Sequence, residues 1–364
     1  KIGGRVMLKT KITEMFGIKH PIANAAMGPF RTTELCVAVS EAGGLGMLSH
    51  TPISPTGLEK DQVVAMKKNL DYVVEHTDGI FGFNIRTARV ETGIDRLISE
   101  ISRYISENAK LRDQCLYALT SAGSARRMPE NKEFIKLRAN SEIKHFHVAP
   151  ALWLADKCVA AGCDGLVVNG FEGGGHQAYE RVGATVLLQQ VQKKYPDIPK
   201  IAAGGFANGS GLALALAAGA DGVSMGSRFI ASEDSEFHQN YKDIIPPAKA
   251  HDTIVKTGNL SIIRMWRNEY SLGKGMVKSK EEKIAEEQAL REKRAVMSRE
   301  ELEEEWKKDF KKNYAIYEGD LQSGIVPLGQ SIGIVEKIES VSIIIEKCVK
   351  DAEFALKKAC NYIM

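Results

Sequence analysis

Short apolar stretches recur along the chain, separated by longer stretches whose apolar residues repeat at helical period. A short, uniformly apolar run is typical of a strand that is buried on both faces of a parallel sheet. The predicted strands are 22–26, 45–49, 80–84, 116–120, 143–148, 165–169, 201–203 and 222–225. The predicted helices between and after them are 33–42, 58–75, 92–109, 133–138, 152–161, 185–195, 211–218 and 233–243.

Strands that alternate with helix-length segments predict parallel βαβ units. The eight predicted strands favour a closed (α/β)8 TIM barrel over the alternative, an open doubly wound sheet with extra strands. In such a barrel the C-terminal ends of all strands meet at one mouth, and the loops there carry the functional residues. Catalytic and binding residues are therefore expected at the C-terminal ends of the predicted strands.

The run Phe-Glu-Gly-Gly-Gly-His at 171–176 directly follows the sixth predicted strand. Glycines let the backbone approach a ligand closely, and a histidine whose pKa lies near neutrality can act as a general base. His176 is therefore the candidate catalytic residue, and a structural or surface histidine is the alternative. His147, at the end of the fifth predicted strand, is also expected to point toward the mouth, in a core or supporting role.

Two glycine-containing turns follow the last two predicted strands. Gly204 and Gly205 come after the seventh strand, and Gly226 and Ser227 come after the eighth, with Arg228 as an additional charge. In TIM barrels these loops commonly bind phosphate, because glycine N–H groups and a helix N-terminus attract anions. The pair of turns predicts a phosphate site, whereas either turn alone is explained by a tight change of direction.

Other residues at predicted strand ends belong to the same mouth if the strands are parallel. Met27 and Gly28 lie just past the first strand, and Asn84 ends the third. The chain contains no G-x-G-x-x-G after a strand and no G-x-x-x-x-G-K-[ST]. The pattern G-x-S-x-G occurs at 222–226 and 329–333, inside a predicted strand and in the predicted C-terminal loop, and neither serine lies at a strand-to-helix turn. A Rossmann cofactor site, an NTPase and an α/β-hydrolase are therefore disfavoured.

Composition limits the partners and the compartment. The formal charge is only +3, and basic residues are interleaved with acidic ones, which argues against nucleic acid. The six cysteines form no C-x-x-C pair and have no metal-type spacing with histidine, so we expect thiols and no structural metal. Apolar runs are too short for a membrane span. We expect a soluble cytoplasmic protein without a membrane partner, and a homo-oligomer is compatible with the sequence.

The composition changes after the predicted barrel. We predict a barrel at 7–270, a charged helical insertion at 271–318, and a C-terminal loop and helix at 319–364 that packs back on the barrel. The insertion contains two capping-box patterns, Ser279-x-x-Glu282 and Ser298-x-x-Glu301, each opening a charged helix. It is either a solvated helical pair or, alternatively, a lid over the mouth or a contact with a partner.

The ordered motifs resemble those of the nitronate monooxygenases, formerly called 2-nitropropane dioxygenases, and of the similar flavin-dependent enoyl-acyl carrier protein reductases. The resemblance runs over most of the chain, and the barrel and its FMN cofactor are what it implies. The segments that carry it are 21–27, 42–46, 81–84, 169–176, 202–205, 217–222, 225–229 and 329–333. The family often has Gln or Glu at the position of Asn169 and Ala at the position of Gly173.

The resemblance also implies roles for individual residues. His176 matches the active-site histidine, Asn84 and Asn169 are expected at the polar edge of the flavin, and Ser227 at its phosphate. The full set of expected flavin-contacting residues is Ala26, Met27, Gly28, Asn84, Asn169, Gly174, Gly175, Ala203, Gly204, Gly205, Met225, Gly226 and Ser227.

The resemblance implies two alternative reactions for these residues. In nitronate oxidation with O2, His176 deprotonates a neutral nitroalkane or orients the nitronate. In enoyl reduction, NADH or NADPH is the donor, His176 orients the thioester or the nicotinamide, and the substrate is carried by CoA or a carrier protein. Arg86 and Arg89 could bind a phosphate of that carrier, although a solvated loop explains them equally well.

Two further functional classes remain open on the sequence alone. The phosphate site would also suit a flavin-free, phosphate-dependent barrel isomerase or lyase, because this site recurs across unrelated chemistries. The charged helices of the insertion would suit a binding or scaffold role.

Overall fold

The computed structural model describes residues 8–89, 91–258, 261–273, 279–298, 300–302, 304–305 and 314–363. The predicted insertion is thus described only in part, and residue 7, where we placed the start of the barrel, lies outside the described residues. The strands are β1 Ile22–Asn24, β2 Gly46–Leu48, β3 Ile53–Ser54, β4 Gly57–Leu58, β5 Phe81–Arg86, β6 Cys115–Ser121, β7 Lys144–Ala149, β8 Gly165–Asn169, β9 Gly175–Gln177, β10 Lys200–Ala203, β11 Gly222–Met225, β12 Thr253–Thr257 and β13 Ile262–Trp266.

Eight of these strands form one parallel sheet in the order β1-β11-β10-β8-β7-β6-β5-β2. The two ends of this sheet meet, because Ala23 and Leu45 form a parallel bridge and the Leu45 N–H donates to the Ile22 carbonyl over 2.9 Å. The Asn24 side chain reinforces this junction by bonding both the N–H and the carbonyl of Met47. The prediction of an (α/β)8 TIM barrel is confirmed, and each predicted strand overlaps an observed barrel strand.

The helices surround this sheet. They are α1 Lys11–Phe16, α2 Thr33–Glu41, α3 Gln62–His76, α4 Ile94–Glu107, α5 Ala109–Gln114, α6 Lys132–Asn140, α7 Leu152–Ala160, α8 Ala184–Lys194, α9 Gly209–Ala217, α10 Ser227–Ile230, α11 Gln239–Asp243, α12 Glu269–Leu272, α13 Lys280–Ala295 and the C-terminal helix Val341–Cys360, with 3-10 turns at Ala250–Asp252 and Gln330–Ile334.

Three predicted helices differ from the observed ones. The helix predicted at 58–75 begins at Gln62, because β3 and β4 form a short hairpin and Asp61 caps the helix. The helix predicted at 92–109 ends at Glu107, where Asn108 caps the separate helix α5. The helix predicted at 233–243 is limited to α11, because the Glu233 N–H instead bonds the carbonyl of Glu339.

The barrel interior is closed at the N-terminal ends of the strands. The ring of Phe16 from α1 packs 5.4 Å from the Tyr117 ring and 6.0 Å from the Phe146 ring. Side chains alternate along a strand, so the next inward positions toward the mouth are Asn169, after Val167, and Ala203, after Ile201. The interior therefore changes from large apolar side chains at the bottom to small or polar ones at the mouth.

A second sheet, which the sequence pattern did not predict, crosses the mouth. Strand β9 pairs antiparallel with β13, which pairs antiparallel with β12. This sheet places His176 opposite Ile263. The loop that follows β8 is thereby tied to a hairpin from beyond the last barrel strand.

The remaining segments pack on the outside or extend beyond the barrel. The C-terminal helix contributes Ile344 and Cys348 to the same apolar core as Leu212 of α9. Both capping boxes of the insertion form, because Ser279 and Glu282 bond each other's backbone N–H, as do Ser298 and Glu301.

Candidate active site

The turn after β10 is shaped by two glycines with left-handed backbone conformation. Gly204 has φ +80° and Gly205 has φ +92°. A Cβ atom at Gly204 would lie 2.6 Å from the carbonyl oxygen of Gly170 and 3.0 Å from the N–H nitrogen of Gly173. Only glycine allows the turns after β8 and β10 to approach this closely.

The turn after β11 lies beside the first strand. Gly226 precedes α10, and a Cβ atom there would meet only Ala25 at 3.6 Å and the sulfur of Met27 at 3.9 Å. The N–H groups of Phe229 and Ile230 donate to the Gly226 carbonyl. The N–H groups before them in the turn precede the first helical hydrogen bond, so the helix itself supplies no acceptor for them. The Ser227 hydroxyl accepts from the N–H of Gly329 over 3.0 Å and keeps its own proton for donation.

Two predicted side chains do not contribute to this cradle. Arg228 forms an ion pair with Glu339 at 3.1 Å and donates to the carbonyls of Ala231 and Lys337. The expectation that it adds charge to the phosphate site is therefore wrong. The Met225 side chain packs in the outer core with Val223, so it contributes its backbone, whose carbonyl accepts from the Ala25 N–H.

The glycine loop 170–177 is held by side-chain amides. Gln177 is 3% exposed, and its Nε2 donates to the Gly173 carbonyl over 2.7 Å. The Nδ2 of Asn169 donates to the Oε1 of Gln177 over 3.4 Å. A Cβ atom at Gly173 would lie 2.8 Å from the Oδ1 of Asn169, so the shorter Asn169 and the extra glycine, the two departures from the family pattern, fit one another.

The outer side of the loop is held by longer-range contacts. The Glu172 carboxylate accepts from the Ala184 N–H at the start of α8 over 2.8 Å, and a Cβ atom at Gly174 would lie 2.7 Å from the carbonyl carbon of Leu328. The buried Arg264 donates from Nε to the Phe171 carbonyl over 3.1 Å and covers the Phe171 ring at 4.8 Å. Burial lowers the pKa of Arg264, and the nearby Glu172 opposes this shift.

The candidate base is exposed at the rim. His176 occupies the middle of β9, next to Gly175, and its side chain is exposed. The β9–β13 pairing fixes the backbone of this position, so the imidazole projects from a strand rather than from a free loop. Its role as a base stays a prediction.

Across the mouth, Asn84 is 2% exposed. Its Nδ2 donates to the Leu119 carbonyl over 3.1 Å and to the Ser121 hydroxyl over 3.2 Å. These bonds fix the amide nitrogen of Asn84 against β6. Its Oδ1 accepts no bond from the described residues, so it is the atom of this side chain that a ligand could reach.

His147 does not face the mouth. Its neighbour Phe146 fills the barrel interior, so His147 points outward, where its Nδ1 bonds the Thr120 hydroxyl at 2.6 Å. His145 bonds the same hydroxyl through Nε2 at 2.7 Å. Burial lowers the pKa of His147 to about 4 and, together with His147, that of His145 to about 3. These neutral imidazoles belong to the core, so the expected orientation of His147 was wrong.

A separate groove of about 480 Å³ lies on the outside of the barrel. It runs between α2, α3 and the start of the C-terminal helix, and its lining includes Glu41, Tyr72 and Val341. None of the predicted site residues lines it, so we assign the reaction to the mouth.

The family assignment follows from comparison with known proteins. A family model described as nitronate monooxygenase matches residues 9–351. The chain belongs to the nitronate monooxygenase family. The FabK protein of Thermotoga maritima is 30% identical, with a TM-score of 0.75 over 98% of this chain and 100% of that one.

Two curated relatives extend this picture. The first is the (3aS,4S,5R,7aS)-5-hydroxy-7a-methyl-1-oxo-octahydro-1H-indene-4-carboxyl-CoA dehydrogenase of Rhodococcus jostii, which is 34% identical over 68% of this chain. The match spans 62% of the length of that dehydrogenase, so this chain covers less than two thirds of it. A probable nitronate monooxygenase of Staphylococcus saprophyticus is 27% identical over 68% of this chain and 75% of its own length.

Family membership and these neighbours support a flavin as the cofactor and an oxidoreductase as the class of enzyme. The observed mouth fits such a group. The positive-φ glycines after β10 have no side chain, so a bound group can approach their backbone closely. The Gly226 turn offers N–H groups and the Ser227 hydroxyl as donors. This donor set suits a phosphate monoester.

Sequence reasoning missed several residues that shape this mouth. Gln177 and Arg264 hold the glycine loop, and Gly329 links Gly174 to Ser227. The β-branched and aromatic residues of 253–257 and 262–266, separated by a segment that contains Gly258, were an available hairpin signal. Among the described residues, no helix is long and apolar enough to cross a membrane, and no three His, Cys, Asp or Glu side chains are grouped as metal ligands.

Proposed function

We propose that this protein is an FMN-dependent oxidoreductase of the nitronate monooxygenase type, which oxidises alkyl nitronates with O2. The observation that carries the proposal is the meeting of the glycine turns after β8, β10 and β11 at a mouth that also contains Met27 and the His176 strand. FMN needs such an opening, with backbone donors at one end and small residues along its length.

The residues divide the work at the mouth. Gly204, Gly205, Gly226 and Ser227 would hold the phosphate, and the Asn84 Oδ1 and the Asn169 amide would bond the polar edge of the ring. The bound flavin supplies the electron transfer to and from substrate and O2. His176 takes the proton from the α-carbon of a neutral nitroalkane or donates a hydrogen bond to the nitronate. The packed rings of Phe16, Tyr117 and Phe146 exclude water from below.

A second candidate is an NADH- or NADPH-dependent enoyl thioester reductase. It is favoured by the match to FabK, an enoyl-acyl carrier protein reductase, along 98% of the chain, and by the CoA thioester in the name of the dehydrogenase relative. In this reaction, His176 would orient the thioester carbonyl or the nicotinamide rather than remove a proton.

The test is anaerobic reduction of the purified protein, followed by visible absorbance, with propyl-2-nitronate, NADH and NADPH offered separately. Bleaching by the nitronate is the expected result. Bleaching by a nicotinamide alone would transfer the proposal to the reductase, and a colourless protein would favour the flavin-free isomerase or lyase.

The role of His176 is tested by His176→Ala. We expect the variant to retain FMN and to lose turnover of neutral nitroalkane by about a hundredfold or more, the usual effect of removing a general base. His76→Ala is the matched control, because His76 is an exposed histidine at the end of the outer helix α3. Equal turnover in both variants would remove His176 from the reaction.

A further inference from the structure

Arg86 is the last residue of β5 and lies on its inward side. Phe83 and Ile85 face the outer core, so Asn84 and Arg86 share the opposite face of the strand. A Cβ atom at Gly28 would lie 3.3 Å from the Nη1 of Arg86 and 2.3 Å from the carbonyl oxygen of His50. The guanidinium therefore lies against the loop after β1, at the mouth, above Asn84.

The guanidinium is oriented by bonds on one side only. Its Nε donates to the Oε1 of Glu91 over 2.9 Å. The backbone N–H of Arg86 donates to Nδ1 of the buried His50, whose Nε2 lies 2.7 Å from the Oε1 of Gln62. Among the described residues, no acceptor bonds the Nη1 and Nη2 groups, and the Arg86 side chain is 23% exposed.

The surrounding charges keep this arrangement ionised at neutral pH. Burial acts to raise the pKa of Glu91, but the positive charges of Arg86 and Arg294 lower it below its ordinary value, so the carboxylate stays charged. Burial and Arg86 lower the pKa of His50 to about 4, so its imidazole is neutral. Arg294, from the end of α13, is itself bonded to Glu305. An anion at the mouth therefore meets a fixed guanidinium whose Nη edge is available.

We infer that Arg86 binds the two oxygens of a planar anionic substrate head, which in the proposed reaction is the nitronate group. A nitronate has two coplanar oxygens on one nitrogen, arranged as in a carboxylate, and the Nη1–Nη2 edge of a guanidinium matches such a pair with two parallel hydrogen bonds. Glu91 is a positioning residue, because its bond to Nε turns the Nη edge toward the mouth. This inference rests on the proposed function for the identity of the substrate and on the contacts of Arg86 for the site.

The experiment compares Arg86→Gln and Arg86→Lys with Arg89→Gln. Arg89 is exposed and lies three residues further along the chain, so its substitution removes the same charge from outside the site. We expect Arg86→Gln to raise the KM for propyl-2-nitronate about 10- to 100-fold, the range for losing hydrogen bonds to a charged group. Arg86→Lys keeps the charge but lacks the planar pair of Nη donors, the fork, and should give a smaller increase in KM. Arg89→Gln should change KM less than about twofold.

A binding measurement separates the inference from the proposed reaction. Isobutyrate is a carboxylate with the same heavy-atom connectivity as propyl-2-nitronate, and its binding is measured by calorimetry on the oxidised holoprotein, without turnover. We expect binding by the wild type and Arg89→Gln, and loss in Arg86→Gln that parallels the rise in KM. If nitronate is not oxidised but isobutyrate binding still depends on Arg86, the proposed reaction fails and the anion site stands.

Two results would overturn the inference. The first is equal KM and isobutyrate affinity in Arg86→Gln and Arg89→Gln, and the second is absence of isobutyrate binding by the wild type. Retained flavin absorbance and an unchanged melting temperature serve as the folding control. Should Arg86→Gln fail that control, Arg86→Lys carries the test, because it keeps the ion pair with Glu91, and a wild-type KM in this variant would count against the fork.

Discussion

At the scale of single residues, the mouth depends on backbone conformations that only glycine adopts without strain. Gly204 combines a φ of +80° with a Cβ position 2.6 Å from the carbonyl oxygen of Gly170. Gly162, which follows α7, has a φ of +73°, but no atom of the described residues lies within 4 Å of its Cβ position. The two glycines therefore share a left-handed backbone, which would strain any other residue, and they differ in how crowded the Cβ position is.

We predict that Gly204→Ala lowers the free energy of unfolding by more than about 2 kcal/mol and releases the flavin, because both strain and overlap must be accommodated. Gly162→Ala should cost about 1 kcal/mol from strain alone and keep the flavin. Urea unfolding and the absorbance of the desalted protein measure both effects. Equal losses in the two variants would show that the close approach after β10 is unimportant.

Single residues also show where sequence reasoning ended. The positions of Gly204 and Gly226 at strand ends could be predicted because period and glycine content are local properties. The role of Arg264 could not, since it depends on Phe171, far along the chain. For Arg86 the sequence left an anion contact and a solvated loop equally open, and the contact with Gly28, distant in sequence, places its guanidinium at the mouth. Arg228 was misjudged for the same reason, because its partner Glu339 is distant in sequence.

At the scale of elements, the eight barrel strands were predictable because each is a buried apolar run between amphipathic helices. Strand β9 was not, because three residues with a glycine among them have no period. It exists as a strand through its pairing with β13. The helix predicted at 233–243 is not helical at its start, because the Glu233 N–H bonds the carbonyl of Glu339, distant in sequence, instead of making a local helical bond.

The β9–β13 connection leads to a prediction about how the His176 strand is held. Arg264→Lys keeps the positive charge but loses the planar contact with Phe171 and the Nε bond to its carbonyl. We expect kcat to fall about tenfold with flavin retained, because a small displacement of a reacting group is costly. Faster hydrogen exchange in 171–177 should accompany the loss.

Arg267→Lys is the matched control, because Arg267 follows the same strand, is exposed, and donates only over 3.5 Å to the His251 carbonyl. Its kcat and its hydrogen exchange should match the wild type. An Arg264→Lys enzyme that is indistinguishable from this control would mean that β-strand pairing alone fixes the position of His176.

At the scale of the whole molecule, a pair of carboxyl groups joins segments from different parts of the chain. The Glu236 carboxyl accepts from the N–H groups of Glu34 and Leu35 and caps α2 in place of a local side chain. Glu34 in turn pairs with Arg31 at 2.8 Å, and Arg31 bonds Tyr317, near the end of the predicted insertion. Burial and the neighbouring Glu34 raise the pKa of Glu236 well above its ordinary value.

The raised pKa of Glu236 makes the stability of the fold depend on pH. Above the ordinary glutamate pKa of about 4.5, the unfolded chain releases a proton that folded Glu236 retains, so stability falls as the pH rises toward the folded pKa. The slope contributed by one such proton is at most about 1.4 kcal/mol per pH unit. Glu236→Gln keeps a neutral acceptor for the α2 N–H groups and should remove this slope in the range that begins above about pH 5. Urea unfolding across that range measures the slope, and Glu233→Gln, at an exposed position, is the control. A slope that persists in Glu236→Gln would assign the retained proton to another group.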